Sequence, residues 1–185
     1  MTKVNMNANQ YSLLNPGCVV IVSCGDETKD SLFSVTWNMP IRKDPSMVAI
    51  LAGKGHYSYS FIKKTGEFGI NIPASSLVDA VLGCGTTSGH KGVDKWERFG
   101  LSRQKAQKIK APLINETFAN LECRISQIVD MGASSLLMAQ IVSAQVDDQY
   151  FADGKLVFDG NLELLHHLGG DRFCVSNKMI FGKTK

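Results

Sequence analysis

Apolar positions along this chain fall mostly into short blocks of strand length, separated by polar and glycine-rich punctuation. Cys18-Val19-Val20-Ile21-Val22-Ser23 is a continuous, β-branched run, the pattern of a strand covered on both faces. Pro16-Gly17 opens it, and the turn-rich Gly25-Asp26-Glu27-Thr28 follows. From Ser31 to Asn38 the pattern alternates, with Leu32 and Ser34 on one side and Phe33, Val35 and Trp37 on the other. That alternation predicts a second strand. Short apolar runs over 47–52, after Pro45, and over 68–72, after Gly66-Glu67, predict two more. Thr117 to Val129 and Ser134 to Val146 read as long strands joined around Asp130-Met131-Gly132. The tail from Asp153 reads as short, glycine-punctuated strands ending in Asp171 to Ser176.

Two segments carry helical spacing instead. Tyr59, Phe61 and Ile62 sit at helical spacing within Ser58 to Lys64, with Lys63-Lys64 in the last turn and Gly66 as the stop. Pro73-Ala74-Ser75 starts a second short helix with Leu77, Val78, Val81 and Leu82 on one stripe, ending in a glycine-rich loop from Gly83 to Gly89. A polar stretch from Val93 to Lys110 is anchored by Trp96 and Phe99. Strands outnumber helices and do not alternate with helices of about 10–15 residues, as a doubly wound fold demands. The expected architecture is mainly β, a closed or split antiparallel barrel with a few short covering helices. No repeat or linker is visible, so residues 1–185 read as a single domain, with 1–10 as a flexible tail.

Composition narrows the class. A chain of 185 residues, 44% hydrophobic and 20% charged with a net charge of +3, buries a core and is not disordered. No run approaches the roughly 20 apolar residues that span a bilayer. Met1 to Asn15 is polar and lacks the apolar core of a secretory signal. The charge is too small and scattered for nucleic-acid binding. Five Cys without a C-x-x-C read as reduced thiols in a cytoplasmic protein.

Local motifs supply little chemistry of their own. Gly83-Cys84-Gly85-Thr86-Thr87-Ser88 fails the dinucleotide fingerprint, since Ser88 stands at the third glycine and the loop follows a helix; it also fails the P-loop spacing. His166 and His167, adjacent on a strand, point to opposite faces and do not share a metal. Neither they nor His56 and His90 have a partner at ligand spacing, so no metal is expected. Cys18 and Cys24 sit on the apolar run and read as packing residues. No nucleophile, acid or metal stands out, which points to a bound cofactor as the carrier of the chemistry.

Longer stretches resemble a known family. Ser31-Leu-Phe-Ser34-Val-Thr36-Trp37-Asn38-Met39, then Asp44-Pro45, then His56-Tyr-Ser58-Tyr-Ser-Phe-Ile-Lys-Lys-Thr-Gly66-Glu-Phe-Gly-Ile-Asn71, are similar to the flavin reductase-like family of FMN-binding split barrels, its flavoredoxin branch above all. Cys84-Gly85-x-x-Ser88-Gly89 with Asp94-Lys95-Trp96, Ala111-Pro112-Leu113-Ile114, Leu121-Glu122-Cys123 and Asp130-x-Gly132 agree in order. The resemblance runs from about Pro16 to Phe173.

It implies an FMN site. Ser31, Ser34, Thr36, Trp37 and Asn38 would lie along the flavin, Trp37 walling the isoalloxazine. His56 and Ser58 would meet the phosphate at a helix start, where free N–H groups favour an anion. Ser88 and Lys95 would add a hydroxyl and a charge, and Ser134 and Phe173 would close the site. Departures are His56 where many relatives carry Arg, Ser134 for a frequent His, Phe173 for a frequent Tyr, and Ala139-Gln140 for a common Gly-Glu. The implied activity is an oxidoreductase that moves a hydride or electrons from NADH, NADPH or a protein donor to an acceptor through FMN. The alternative is a non-catalytic FMN-binding electron carrier or flavin store. A homodimer with FMN at the interface and a redox partner protein are the implied assemblies; no nucleic acid or membrane is.

Overall fold

The computed structural model describes residues 5, 8–14, 17–158 and 160–182. The tail expected over 1–10 lies largely outside them, as does Pro16 of the opening turn. A 3-10 turn over Gln10–Leu14 leads into β1 (Gly17–Cys18), β2 (Val20–Gly25), β3 (Asp30–Val35), β4 (Asn38–Lys43) and β5 (Ser46–Gly53). Then come α1 (Tyr57–Thr65), β6 (Glu67–Ile72), α2 (Val78–Thr86) and α3 (Lys95–Arg98). The two-residue β7 (Arg103–Gln104) and β8 (Leu113–Ile114) pair with each other before the long hairpin of β9 (Ala119–Met131) and β10 (Ser134–Val146). The chain ends with the small ribbon β11 (Phe151–Ala152) and β12 (Lys155–Leu156), then β13 (Leu164–Gly169) and β14 (Arg172–Ser176).

Seven strands form one antiparallel sheet in the order β3-β2-β6-β9-β10-β5-β4. It curls until its two ends face one another across Phe33, Val35, Val48, Ile50 and Ala52, which share a single buried cluster with Val20, Val22, Phe68 and Leu137. This is the split antiparallel barrel expected. β2 is buried along its whole length, because its other face packs Ile21, together with the neighbouring Val19, against Val81, Trp96 and Leu165 under α2, α3 and β13. Burial on both faces is the reason for its unbroken apolar run. A polar knot tightens the same region: the Asn71 amide donates to the Ile21 carbonyl at 2.9 Å, and its oxygen accepts from Ile114 N–H at 2.8 Å and from Asn120 at 2.9 Å.

Two expectations change. The second strand stops at Val35 instead of running on to Asn38. Thr36-Trp37 carries the chain across the split: Leu51 N–H donates to Trp37 O at 3.0 Å, and Asn38 already belongs to β4. Trp37 is accordingly 53% exposed and does not share the core side of Phe33 and Val35. The glycine loop is also shorter than expected, since α2 continues through Gly83, Cys84 and Gly85 to Thr86. Gly83 is needed there for close approach. A Cβ on it would stand 2.2 Å from the Phe99 ring.

Candidate functional site

The split in the barrel gathers four pieces of chain. β3 brings Ser31 and Ser34, and the crossing after it brings Thr36 and Trp37. The turn after β5 brings His56, followed by Tyr57 and Ser58 in the first turn of α1. The end of α2 brings Gly85 to Ser88, and α3 begins with Lys95.

Three clefts meet here, and Ser34 lines all of them. The first, 170 Å³, lies between His56, Ser58, Ser88 and Lys95. The second, 170 Å³, runs past Thr36, Trp37 and Gly53. The third, 230 Å³, is walled by Val81, Leu82, His167 and Phe173. Each is below the roughly 300–1,000 Å³ of a small-molecule site, but they lie side by side, with Ser34 a wall of all three. The Ser34 hydroxyl donates to Val81 O at 2.5 Å, which clamps α2 to β3 at that junction.

The polar end of the site is lined by donors. Asp94 caps α3, accepting from Trp96 N–H at 2.9 Å, and so fixes the neighbouring Lys95. Lys95 is 5% exposed, and its Nζ donates to Leu32 O at 2.6 Å and to Cys84 O at 2.8 Å. Burial lowers its pKa below the usual lysine value. An ammonium has three N–H donors; two are spent here, and among the described residues no carboxylate pairs with the charge. A buried cation without a counter-charge is costly, and an anion in the first cleft relieves that cost. The first cleft carries no Asp or Glu. His56 caps α1 without a side-chain cap bond, which leaves first-turn N–H groups facing outward. Ser88 Oγ accepts from His90 N–H at 3.3 Å and keeps its own proton free to donate.

The structure therefore brings together Ser34, Thr36, Trp37, His56, Ser58, Ser88, Lys95 and Phe173. Ser31 lies one layer back, where its hydroxyl accepts from Ser58 Oγ at 3.1 Å. Asn38 and Ser134 stand outside the three clefts. The Asn38 amide is spent on Cys18 O at 2.9 Å and Val35 O at 3.3 Å, and Ser134 opens β10 opposite Gly53. Tyr57 and His167 also line the clefts, without a role implied for either by the resemblance. Gly89 gives a retrospective signal for the first, because a Cβ there would lie 2.5 Å from the Tyr57 ring. His167 packs 5.1 Å from Phe173 and shares Nε2 with Gly170 O at 3.0 Å. His166, pointing the other way along β13, meets Ser176 Oγ at 2.8 Å.

Comparison with known proteins gives a consistent picture. A family model described as flavin reductase like domain matches residues 13–167. The chain is 31% identical over 173 residues to the uncharacterized protein YddH of Escherichia coli (strain K12), covering 91% of each. It is 33% identical over 174 residues to an uncharacterized protein of Archaeoglobus fulgidus, covering 94% of this chain and 96% of that one. Among solved structures, the flavoredoxin from Methanosarcina acetivorans superposes with a TM-score of 0.79 at 25% identity, over 100% of this chain and 96% of that one. The flavoredoxin of Desulfovibrio vulgaris (Miyazaki F) gives 0.85 at 19% identity, over 98% and 97%.

Proposed function

Because this chain belongs to the flavin reductase-like domain family, we propose that its three adjacent clefts hold FMN and that it is a flavin-dependent oxidoreductase. The observation that carries the reading is the buried Lys95 ammonium, unpaired by any carboxylate among the described residues and lining a cleft with other donors. That end suits the phosphate. Lys95 contributes charge, Ser88 a hydroxyl, and the start of α1 its free N–H groups, with His56 beside them. Ser58 is held in place by Ser31. Ser34 stands at the junction, where the ribityl chain would pass. Thr36 and Trp37 on one side and Phe173 on the other suit the ring system.

FMN, when bound, supplies the redox-active ring that accepts a hydride and passes electrons on. The protein's part is to bind, orient and exclude water. Val81, Leu82 and Phe173 make the third cleft apolar, and we assign it to the planar end of the donor or acceptor. We take NADH or NADPH as the donor and a small molecule or redox protein as the acceptor. We also read the chain as a single domain that works as a homodimer in the cytoplasm, a compartment its five free thiols suit. Among the described residues no helix is long and apolar enough to cross a membrane.

Two measurements test this reading. Fluorescence titration should show FMN binding, and failure to bind FMN defeats the proposal at its root. Steady-state oxidation of NADH or NADPH with FMN present then separates the enzyme, which turns over, from a flavin carrier, which binds without turnover.

A further inference from the structure

The two rims of the first cleft are tied together on their outer side. One rim is the turn into α1, Gly55 to Ser58, and the other is the end of α2 with the loop beyond it, Cys84 to Gly89. Lys95 lies buried between them, whereas Gly55 and His90 are exposed. His90 is not a wall of the cleft, yet it reaches from one rim to the other. Its Nε2 donates to Gly55 O at 3.4 Å, and its ring stands edge-on to Tyr57 with centroids 5.3 Å apart. The neighbouring Gly89 sits so close to Tyr57 that a Cβ would come within 2.5 Å of that ring.

The two sides of this tie differ in how firmly they are held. Tyr57 belongs to α1 and is braced edge-on by Phe61 at 5.1 Å. The loop that carries His90 is fixed where it starts, by Thr87 N–H donating to Gly83 O at 2.9 Å, and where it ends, by the Asp94 cap of α3. Between these points it forms one 3-10 turn closed on itself. Lys91 N–H donates to Ser88 O at 3.4 Å and Gly92 N–H to Gly89 O at 3.2 Å, with Gly92 at φ 69°. The Ser88 hydroxyl caps the same turn, so Ser88 travels with it. What holds the turn against α1 is therefore a long, solvated hydrogen bond and an aromatic contact, a combination weak enough to open and close.

We propose that His90 is a latch, which closes the 88–92 turn over the phosphate end and lets FMN enter and leave only when it is open. The inference rests on the FMN reading and gives a kinetic role to a residue outside the clefts. A latch that closes alike over the empty and the filled site sets how fast the ligand exchanges and leaves its affinity unchanged. A direct ligand contact behaves differently, because its loss speeds release while association stays nearly constant.

Stopped-flow fluorescence of FMN with the full chain tests this, using wild type, His90→Ala and His90→Phe. With both ties gone, His90→Ala should raise the association and release rates together by about three- to tenfold. Their ratio, the Kd, should stay within about twofold of wild type. His90→Phe keeps the ring contact without the hydrogen bond, so its rates should fall between the two. Trypsin supplies a readout without flavin, since cleavage after Lys91, in the same turn, follows the open population. In apo-protein His90→Ala should speed that cleavage by the same factor as the FMN rates, with thermal melting unchanged. Rates and Lys91 cleavage equal to wild type overturn the latch. Faster release at an unchanged association rate also overturns it, by making His90 a direct FMN contact. Wild-type protein that binds no FMN defeats the FMN reading and, with it, the gating of FMN.

Discussion

A single buried ammonium organises the polar end of the site. Lys95 is held by two carbonyl oxygens and by the cap of its own helix, so a bound anion meets a cation that needs no reorganisation. Lys95→Met removes a charge-assisted hydrogen bond worth about 1.5–3 kcal/mol, so FMN affinity should fall by roughly 10- to 100-fold in a fluorescence titration. Burial depresses the Lys95 pKa in the free protein, and the sign of the pH dependence follows. Between that lowered value and the ordinary 10.5 the unfolded chain holds a proton that the folded chain has released, so apo-protein stability rises with pH there. FMN affinity runs the other way, falling as pH climbs through the same window because the anion binds the protonated form. In Lys95→Met that alkaline fall should vanish; its persistence would assign the titration to another group. The cysteines make a separate prediction. Burial pushes the Cys24, Cys84 and Cys123 thiols up to about 12 and raises Cys18, whereas Cys174 is exposed. Alkylation near neutral pH, followed by mass spectrometry, should label Cys174 first and spare Cys24, Cys84 and Cys123 until the chain is unfolded. Rapid loss of the Cys84 thiol in folded protein would contradict this burial.

At the scale of elements, α2 shows how packing overrides propensity. Its last turns contain two glycines, poor helix formers, yet Gly83 sits under Phe99 with no room for a methyl group. Gly83→Ala should cost about 1–3 kcal/mol by overpacking, lowering Tm by about 3–10 °C in a thermal melt. Gly85→Ala is the control, since its Cβ would meet Ser34 at 3.5 Å, an ordinary contact; its Tm should hold or rise. The same contrast explains what was readable in the sequence. β2 was legible because burial on both faces leaves an unbroken apolar run, α1 because Gly66 closes it at φ 69°, and the β9–β10 hairpin because its strands are long and its turn carries Gly132 at φ 77°. The end of β3 was not, because the alternation runs on through Trp37 while the chain crosses the split. The glycine at position 83 does not mark a loop, because it answers to Phe99, distant in sequence, which leaves no room for a Cβ inside the helix. The burial of Lys95 could not be read either: lysine is rarely buried, and only the meeting of β3, α2 and α3 encloses it. Of the candidate site, the residues at the two ends of the cleft were legible through resemblance. Asn38 lies outside the three clefts, and its amide ties the crossing to Cys18 and Val35.

Across the whole molecule, the described residues leave several large apolar side chains exposed. Trp37, which lines the second cleft, and Met39 are both about half exposed, Tyr11 rests edge-on against Trp37 at 5.8 Å, and Leu13 and Leu14 are exposed as well. At the far tip of the β9–β10 hairpin Met131 is 60% exposed, and near the end of the described chain Ile180 is 84% exposed. β4 is an unpaired edge of the seven-stranded sheet, and exposed edges beside apolar patches invite association. A twofold partner is the common way to cover such a surface, and a stable interface of that kind buries about 2,000 Å² or more. The chain should therefore run in light scattering at about twice its 20.2 kDa mass. Met39→Glu places a charge on the edge strand beside Trp37, so it should shift the equilibrium toward monomer at micromolar concentration. If the partner also covers the ring end, FMN favours the dimer, and linkage requires that stripping the flavin weaken it. A wild-type mass of one chain at micromolar concentration would rule the dimer out. Equal dissociation constants with and without FMN would keep the dimer but confine the flavin to one subunit, and then Met39→Glu should leave FMN affinity untouched while still splitting the pair.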